Sequence, residues 1–357
     1  MKKLIVLGLI LALGNLTFLT AQTVGTWENF INPEILTDRI ETANDIWFSS
    51  KAGVFKMNKT TQQITNFSPA NSNIPSNSVE GIAKMATVLF GLALMIKRLQ
   101  SMTVQTWTHY AYPDNLFNTT NFIQTYCIEV DNQGIVWVGT SEGLASFDGT
   151  NWILYSTQLV GNLFHDVWAL DIDNQGNIYA ASFNVYRFDG ANFHNMTDTT
   201  NIAIYGGAIL FEASNGDIWV SNLFGTIGVF DGTTWTEYSS MNGQIPSNKT
   251  YQLGETPNGE IYFTCQDSGK YILQNGVWQK QSIVDNPHVS ETELVTYFFD
   301  NQGNEWLGNG KKLLKNNGQN LTLVPLVNHG ITNNNTISVT EFNGVKYILS
   351  SREVVTF

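Results

Sequence analysis

The five histidines, His109, His165, His194, His288 and His329, are the side chains best suited to acid–base or metal chemistry near neutral pH. They are scattered, and no two stand at the His-x-x-x-His interval that lets one helix face hold a metal. His109 and His194 fall inside segments that read as outer strands, where solvent is expected. His165, His288 and His329 fall in longer connections, where a lyase or hydrolase would need them beside carboxylates such as Asp166, Glu291 or Glu293. The Asp-Asn-Gln-Gly runs at Asp131, Asp173 and Asp300 gather oxygen ligands and invite a calcium reading. They lack the further spaced ligands of a calcium loop, and each stands where a hairpin needs an Asx turn. There is no Gly-x-Ser-x-Gly and no phosphate-binding glycine loop. The sequence therefore assigns no catalytic residue, no metal and no cofactor.

What positions these side chains is a chain of 357 residues with 43% hydrophobic, 12% aromatic and only 13% charged residues. Such a composition buries a large core and excludes global disorder. With 18 basic against 30 acidic residues the net charge is −12, which leaves nothing to neutralise phosphates and excludes a nucleic-acid partner. Two cysteines, Cys127 and Cys265, fall in different repeat units and read as separate thiols. Met1-Lys2-Lys3, an apolar run from Leu4 to Leu19 and Thr20-Ala21-Gln22 have the layout of a signal peptide over residues 1–21. The mature chain, 22–357, is expected to be periplasmic or secreted, without membrane insertion after signal removal.

A repeat of a little over forty residues fills the rest. Its aromatic anchors are Trp47, Trp137, Tyr179, Trp219, Tyr262, Trp306 and Tyr347. A second aromatic column holds Trp27, Trp107, Trp152, Phe193, Trp235 and Trp278. Of the tryptophans only Trp168 lies outside both. Period-two alternation makes each unit four antiparallel strands; around Trp137 these are Tyr126 to Val130, Val136 to Thr140, Leu144 to Phe147 and Trp152 to Tyr155. Asp-Asn-Gln-Gly joins the first two strands. Asp-Gly joins the last two, as a tight turn in which both residues would take positive φ. Four-stranded sheets repeated radially make an all-β propeller. The spacing predicts eight blades closed by an N-terminal outer strand, Thr26 to Phe30, against the sheet of Tyr347, with seven as the alternative.

Residues 85–106 break the pattern. The anchor belongs at position 91, midway between Trp47 and Trp137, and Gly91 stands there. Codons for Lys84 to Thr106 read one base early can spell Asp-Gly-Asn-Gly-Ile-Val-Trp-Ile-Gly-Thr, with Trp at position 91. We read this segment as a degenerate blade that fits a compensated pair of frame shifts, which the nucleotide sequence decides.

The pattern Ile-Trp-Val-x-Thr, Gly-Leu, Phe-Asp-Gly-x-x-Trp-x-x-Tyr, clearest from Trp137 to Tyr155 and from Trp219 to Tyr238, resembles the two-component regulator propeller repeat. The resemblance implies an exported propeller with a binding or sensing role. The repeat also looks somewhat like that of streptogramin lyase, which supplies the alternative of a propeller lyase or hydrolase. In a propeller the turns between second and third strands crowd one face with the blade-to-blade connections. Those turns carry Lys51, Glu142, Asn184, Phe224, Asp267, Lys311 and Arg352, fixed polar groups and a Phe suited to a carbohydrate, peptide or protein ligand. The expected function is a non-enzymatic ligand- or protein-binding module.

Overall fold

The computed structural model describes residues 36–111, 123–155, 166–197, 207–324 and 336–356. Within these it omits 52, 70, 75, 77, 85–89, 95–97, 103–106, 223, 247–248, 266–267, 284, 310–311, 343–344 and 351–353, and over 90–111 and 336–356 it describes backbone alone. The chain divides into two compact units, residues 32–328 and residues 1–31 with 329–357.

In the larger unit every sheet is an antiparallel meander of four strands. Sheet 1 is β1 (Leu36–Glu41), β2 (Asp45–Ser50), β3 (Gly53–Asn58) and β4 (Ile64–Phe67); sheet 2 is β5 (Val79–Ala83), β6 (Phe90–Leu94), β7 (Arg98–Met102) and β8 (Trp107–Ala111). Sheet 3 is β9 (Thr125–Val130), β10 (Val136–Thr140), β11 (Gly143–Phe147) and β12 (Trp152–Tyr155), within a residue of the boundaries read from sequence. Sheet 4 is β13 (Ala169–Ile172), β14 (Ile178–Ala181), β15 (Val185–Phe188) and β16 (Phe193–Asn195); sheet 5 is β17 (Gly207–Glu212), β18 (Ile218–Asn222), β19 (Thr226–Phe230) and β20 (Trp235–Ser239). Sheet 6 is β21 (Thr250–Glu255), β22 (Ile261–Cys265), β23 (Gly269–Gln274) and β24 (Val277–Gln281); sheet 7 is β25 (Thr296–Phe299), β26 (Glu305–Gly308), β27 (Leu313–Asn316) and β28 (Leu321–Val324). Successive first strands pack on one another and so form the inner wall. The smaller unit contains a three-stranded sheet 8: β29 (Thr336–Phe342), β30 (Val345–Ser350) and β31 (Val354–Thr356).

The expected blade count is corrected. Among the described residues six blades, sheets 1 and 3 to 7, are defined in both strands and side chains, against the eight, or alternatively seven, expected. Sheet 8 has three strands, and Trp27, expected to supply its fourth, lies outside the described residues. Within the larger unit, sheet 1 meets sheet 7. Lys59 Nζ donates to Asn301 Oδ1 at 2.7 Å, Lys315 Nζ donates to the Lys59 carbonyl at 3.2 Å, and Arg39 lies 4.1 Å over the Phe298 ring.

The anchors do the packing the sequence implied. Trp137 packs on Phe188 of the next sheet at 5.6 Å, Trp219 on Trp278 at 6.2 Å and Tyr262 on Tyr297 at 4.8 Å between ring centroids. Register explains their period. In sheets 1, 3, 5 and 6 a bulge offsets the start of the first strand. The third pair beyond it is Ile40↔Trp47, Glu129↔Trp137, Phe211↔Trp219 and Gly254↔Tyr262. In sheet 2 the same count lands on Ala83↔Gly91, so Gly91 occupies the anchor register. Gly139, next but one after its Trp, is dictated by close approach: a Cβ there would stand 2.4 Å from Cys127 Sγ and 2.4 Å from the Val167 carbonyl oxygen.

The turns differ in detail from expectation. Gly149, Gly190 and Gly232 take positive φ, but their aspartates do not; among the described non-glycine residues only Gln62 and Asn275 do. Each Asp instead caps the turn, as Asp148 Oδ1 does by accepting from the Thr150 and Asn151 N–H groups at 2.8 and 2.6 Å. The two-residue turn with both φ positive is Asn275-Gly276, between the paired Gln274 and Val277.

Candidate ligand-binding face

Antiparallel meanders put the turns joining second to third strands at one end of the ring, together with the connections from each fourth strand to the next first strand. The other end holds the Asp-Asn-Gln-Gly and Asp-Gly turns, and there the aspartates are fully employed. Asp131 Oδ1 accepts from Gln133 and Ile135 N–H, each at 2.9 Å, and Oδ2 accepts from the Trp137 indole at 3.0 Å. Asp300 repeats this with Gln302, Asn304 and Trp306. In the unit with Tyr in place of Trp, Asn177 Nδ2 takes the second oxygen of Asp173 at 2.7 Å. These carboxylates lock a turn to its anchor. Among the described residues no group of three or more His, Cys, Asp or Glu is arranged to hold a metal.

Of the residues expected at the ligand face, four are described. Lys51 is exposed in the β2–β3 turn. Glu142, half-buried between β10 and β11, is fixed by its own N–H bonding Thr140 Oγ1 at 3.1 Å, and its carboxylate meets no partner among the described residues. Asn184 is engaged within its sheet, its Oδ1 accepting from Thr197 Oγ1 at 3.0 Å. Phe224, between β18 and β19, is 68% exposed. They share an end of the ring, one to a sheet, and no hydrogen bond or ion pair joins them. Asp267, Lys311 and Arg352 lie outside the described residues.

A cluster that residue spacing missed lies on the same end. Trp168, in the connection entering β13, meets the ring edge of Phe183 at 5.4 Å and Tyr126 at 6.4 Å. The Tyr126 hydroxyl donates to Asp166 Oδ1 at 2.7 Å and is bonded by the Trp168 side chain as well. Burial and the adjacent Asp166 carboxylate push the Tyr126 hydroxyl far above its ordinary value, so it remains a donor at any physiological pH. Phe183, in the β14–β15 turn, is 45% exposed. The signal was present: Trp168 is the tryptophan that the two packing columns do not use.

The histidine expectation fares differently. His165 and His329 lie outside the described residues, and His288 is half-buried with its backbone N–H on Asn286 Oδ1 at 2.9 Å. The imidazole–carboxylate contact present among the described residues is His194 with Asp189 at 2.7 Å, exposed at the Asp-Gly end of an outer strand. Cys127 and Cys265 are both free thiols. No helix among the described residues is long and apolar enough to cross a membrane.

Radial four-stranded sheets with aromatic anchors between them define an all-β propeller. The family model of the two-component regulator propeller matches residues 119–142 of the chain. No curated protein sequence matches the chain. Among solved structures it resembles YCF48 from Cyanidioschyzon merolae, at 12% identity and TM-score 0.61 over 81% of this chain and 97% of that one. It also resembles YCF48 bound to D1 peptide, at 12% and 0.56 over 77% and 90%. A catalytically inactive virginiamycin B lyase from Staphylococcus aureus with quinupristin matches at 11% and 0.56 over 78% and 93%. The extracellular domain of BT4673 from Bacteroides thetaiotaomicron matches at 12% and 0.44; 90% of this chain is covered, which spans 60% of that one. At these identities the likeness is one of fold.

Proposed function

We propose that this protein is an exported binding or sensing propeller, without catalytic chemistry of its own, that takes a carbohydrate, peptide or protein ligand on the end bearing Lys51, Glu142, Asn184 and Phe224. The observation that carries this reading is an exposed Phe183 packed on Trp168, which Tyr126 and Asp166 support, with a second exposed ring, Phe224, at the same end of the next sheet. Most other aromatic rings in the described sheets are spent on packing within and between sheets, where burial stabilises by roughly 2 kcal/mol each. Rings kept at a mouth on oriented polar supports are what interface anchors look like. The repeat resemblance supports the sensing role, and the peptide held by YCF48 supports a peptide-sized ligand on this architecture.

The test is a glycan and peptide array probed with residues 22–357, followed by titration of any hit against Phe224→Ala and Trp168→Phe. Binding that weakens at least tenfold in either variant, with unchanged thermal unfolding, supports the assignment. Hits indifferent to both substitutions place the ligand elsewhere and end it.

A further inference from the structure

The charge of this chain is not spread evenly. Residues 99–248 carry 14 Asp and Glu and a single Lys or Arg, Arg187, a net charge of −13. The remainder carries 17 Lys and Arg against 16 Asp and Glu and is almost neutral. The acidic stretch builds sheets 3, 4 and 5, the arc that presents Tyr126, Glu142, Asp166, Trp168, Phe183 and Phe224. Arg187 stands in β15 opposite Tyr179 of β14, toward the far end of its sheet. Several of the acids cap turns at that far end, where His194 pairs with Asp189; among the described side chains of sheets 3 to 5, that imidazole and Arg187 are the basic groups set against them. At the near end Glu142 and the second oxygen of Asp166 have no cationic partner among the described residues.

Concentrating like charge on one arc costs self-repulsion that a neutral ligand would not relieve. A cationic ligand would, and the chemistry beside these carboxylates suits one. The face of an indole or phenyl ring attracts a guanidinium or ammonium, while a flanking carboxylate supplies charge-assisted hydrogen bonds. Tyr126 and Asp166 hold the Trp168 ring in place before any ligand arrives, which reduces the ordering cost of binding. We infer that this arc docks a basic peptide segment, its Lys or Arg side chains lying over Trp168 and Phe183 with their charges on Asp166 and Glu142. The inference rests on the binding-face reading above and narrows its ligand to a cationic peptide.

The experiment is a fluorescence-anisotropy titration of residues 22–357 with a labelled, terminally blocked Gly-Ser peptide carrying a central Arg-Lys-Arg. The same peptide with Ser at those three positions and a neutral oligosaccharide, maltoheptaose, serve as competitors. The basic peptide is expected to bind at 50 mM salt and to weaken at least tenfold at 300 mM. Asp166→Asn combined with Glu142→Gln should weaken it tenfold or more, and Trp168→Phe severalfold, with thermal unfolding unchanged in each. Absence of binding, equal binding of the neutral peptide, or indifference to the paired carboxylate substitutions overturns the inference. If maltoheptaose or another array ligand binds instead and loses affinity in Trp168→Phe, the cationic assignment falls while the binding face stands. If no ligand responds to Trp168→Phe or Phe224→Ala, the face itself falls.

Discussion

At the scale of single residues, the aspartate six positions before an anchor tryptophan joins turn to core. Asp131 and Asp300 each satisfy backbone donors of the turn and the indole N–H of the anchor. In sheet 5 the equivalent position is Ala213, and the buried indole nitrogen of Trp219 is left without a hydrogen bond. Leaving such a donor unpaired costs about 1–3 kcal/mol. Ala213→Asp should therefore raise stability by about 1 kcal/mol, some of the gain being offset by desolvating the carboxylate. Chemical denaturation reads the change; a loss of stability would show that the Asp131 arrangement does not transfer to this turn. The anchors and their spacing were plain in the sequence, because burying a large ring between sheets leaves no freedom in its position. The use of Asp148 as a cap on a longer turn was not, since Asp-Gly is compatible with both conformations and only neighbouring backbone donors choose between them.

At the scale of elements, sheets 5, 6 and 1 each grip a turn of a neighbouring sheet through the glutamate ending their first strand. Glu212 accepts from Asn174 N–H at 2.9 Å, Glu255 from Ser214 N–H at 2.8 Å and Glu41 from Asn301 N–H at 3.1 Å. The last of these joins sheet 1 to sheet 7, and there Lys59 strengthens it. With its side chain 1% exposed, its ammonium reaches Glu41 at 2.9 Å, the Thr42 carbonyl at 2.8 Å and Asn301 at 2.7 Å. Removing one partner from a buried charge network costs about 3–5 kcal/mol because the other is left desolvated. Lys59→Met should lower the unfolding free energy by that amount, and should speed proteolysis first between sheets 7 and 1. A variant that unfolds like the parent would deny Lys59 its part in closing the ring. This contact could not be foreseen from residue types, since it joins positions more than 240 apart in sequence. A repeat marks a unit of sequence, and nothing in its spacing says which units meet in space.

Across the whole molecule, the inner wall carries carboxyls that titrate high. Burial pushes Asp38 up to about 6, against backbone hydrogen bonds from Ile82 and Arg39 that act the other way. It pushes Asp171 up to about 6 as well, with Glu212 and Asp173 adding repulsion. Glu129 is likewise raised, by burial first and then by the Asp38 and Asp171 carboxylates. A folded carboxyl that keeps its proton to higher pH than an unfolded one, near 4, makes the native state bind more protons in between. Stability then falls as pH rises from about 4 to 6 and beyond, until these groups are fully ionised. The exposed turn aspartates Asp148, Asp189 and Asp231 are held low by the hydrogen bonds they accept, so their contribution is present above about pH 4 and lost below it. Thermal unfolding followed against pH should peak between pH 4 and 5. Asp38→Asn, which keeps an acceptor for the Ile82 N–H, should flatten the decline toward pH 7.5. A profile that rises from pH 5 to 7.5, or one unaltered by the substitution, contradicts this account.

The sequence by itself determined the strands, their order within each sheet and the side chains that hold neighbouring sheets together, because alternation and aromatic spacing are local consequences of backbone geometry and ring size. Gly91 in the anchor register was likewise readable from spacing before any coordinates. Tertiary structure alone decided which sheets close the ring. It also decided which of the residues bound for one face acquire partners there: Asn184 is taken up by Thr197, and Trp168 meets Tyr126, whose hydroxyl is held by Asp166. Those outcomes depend on distances between segments remote in the chain, which no local pattern encodes.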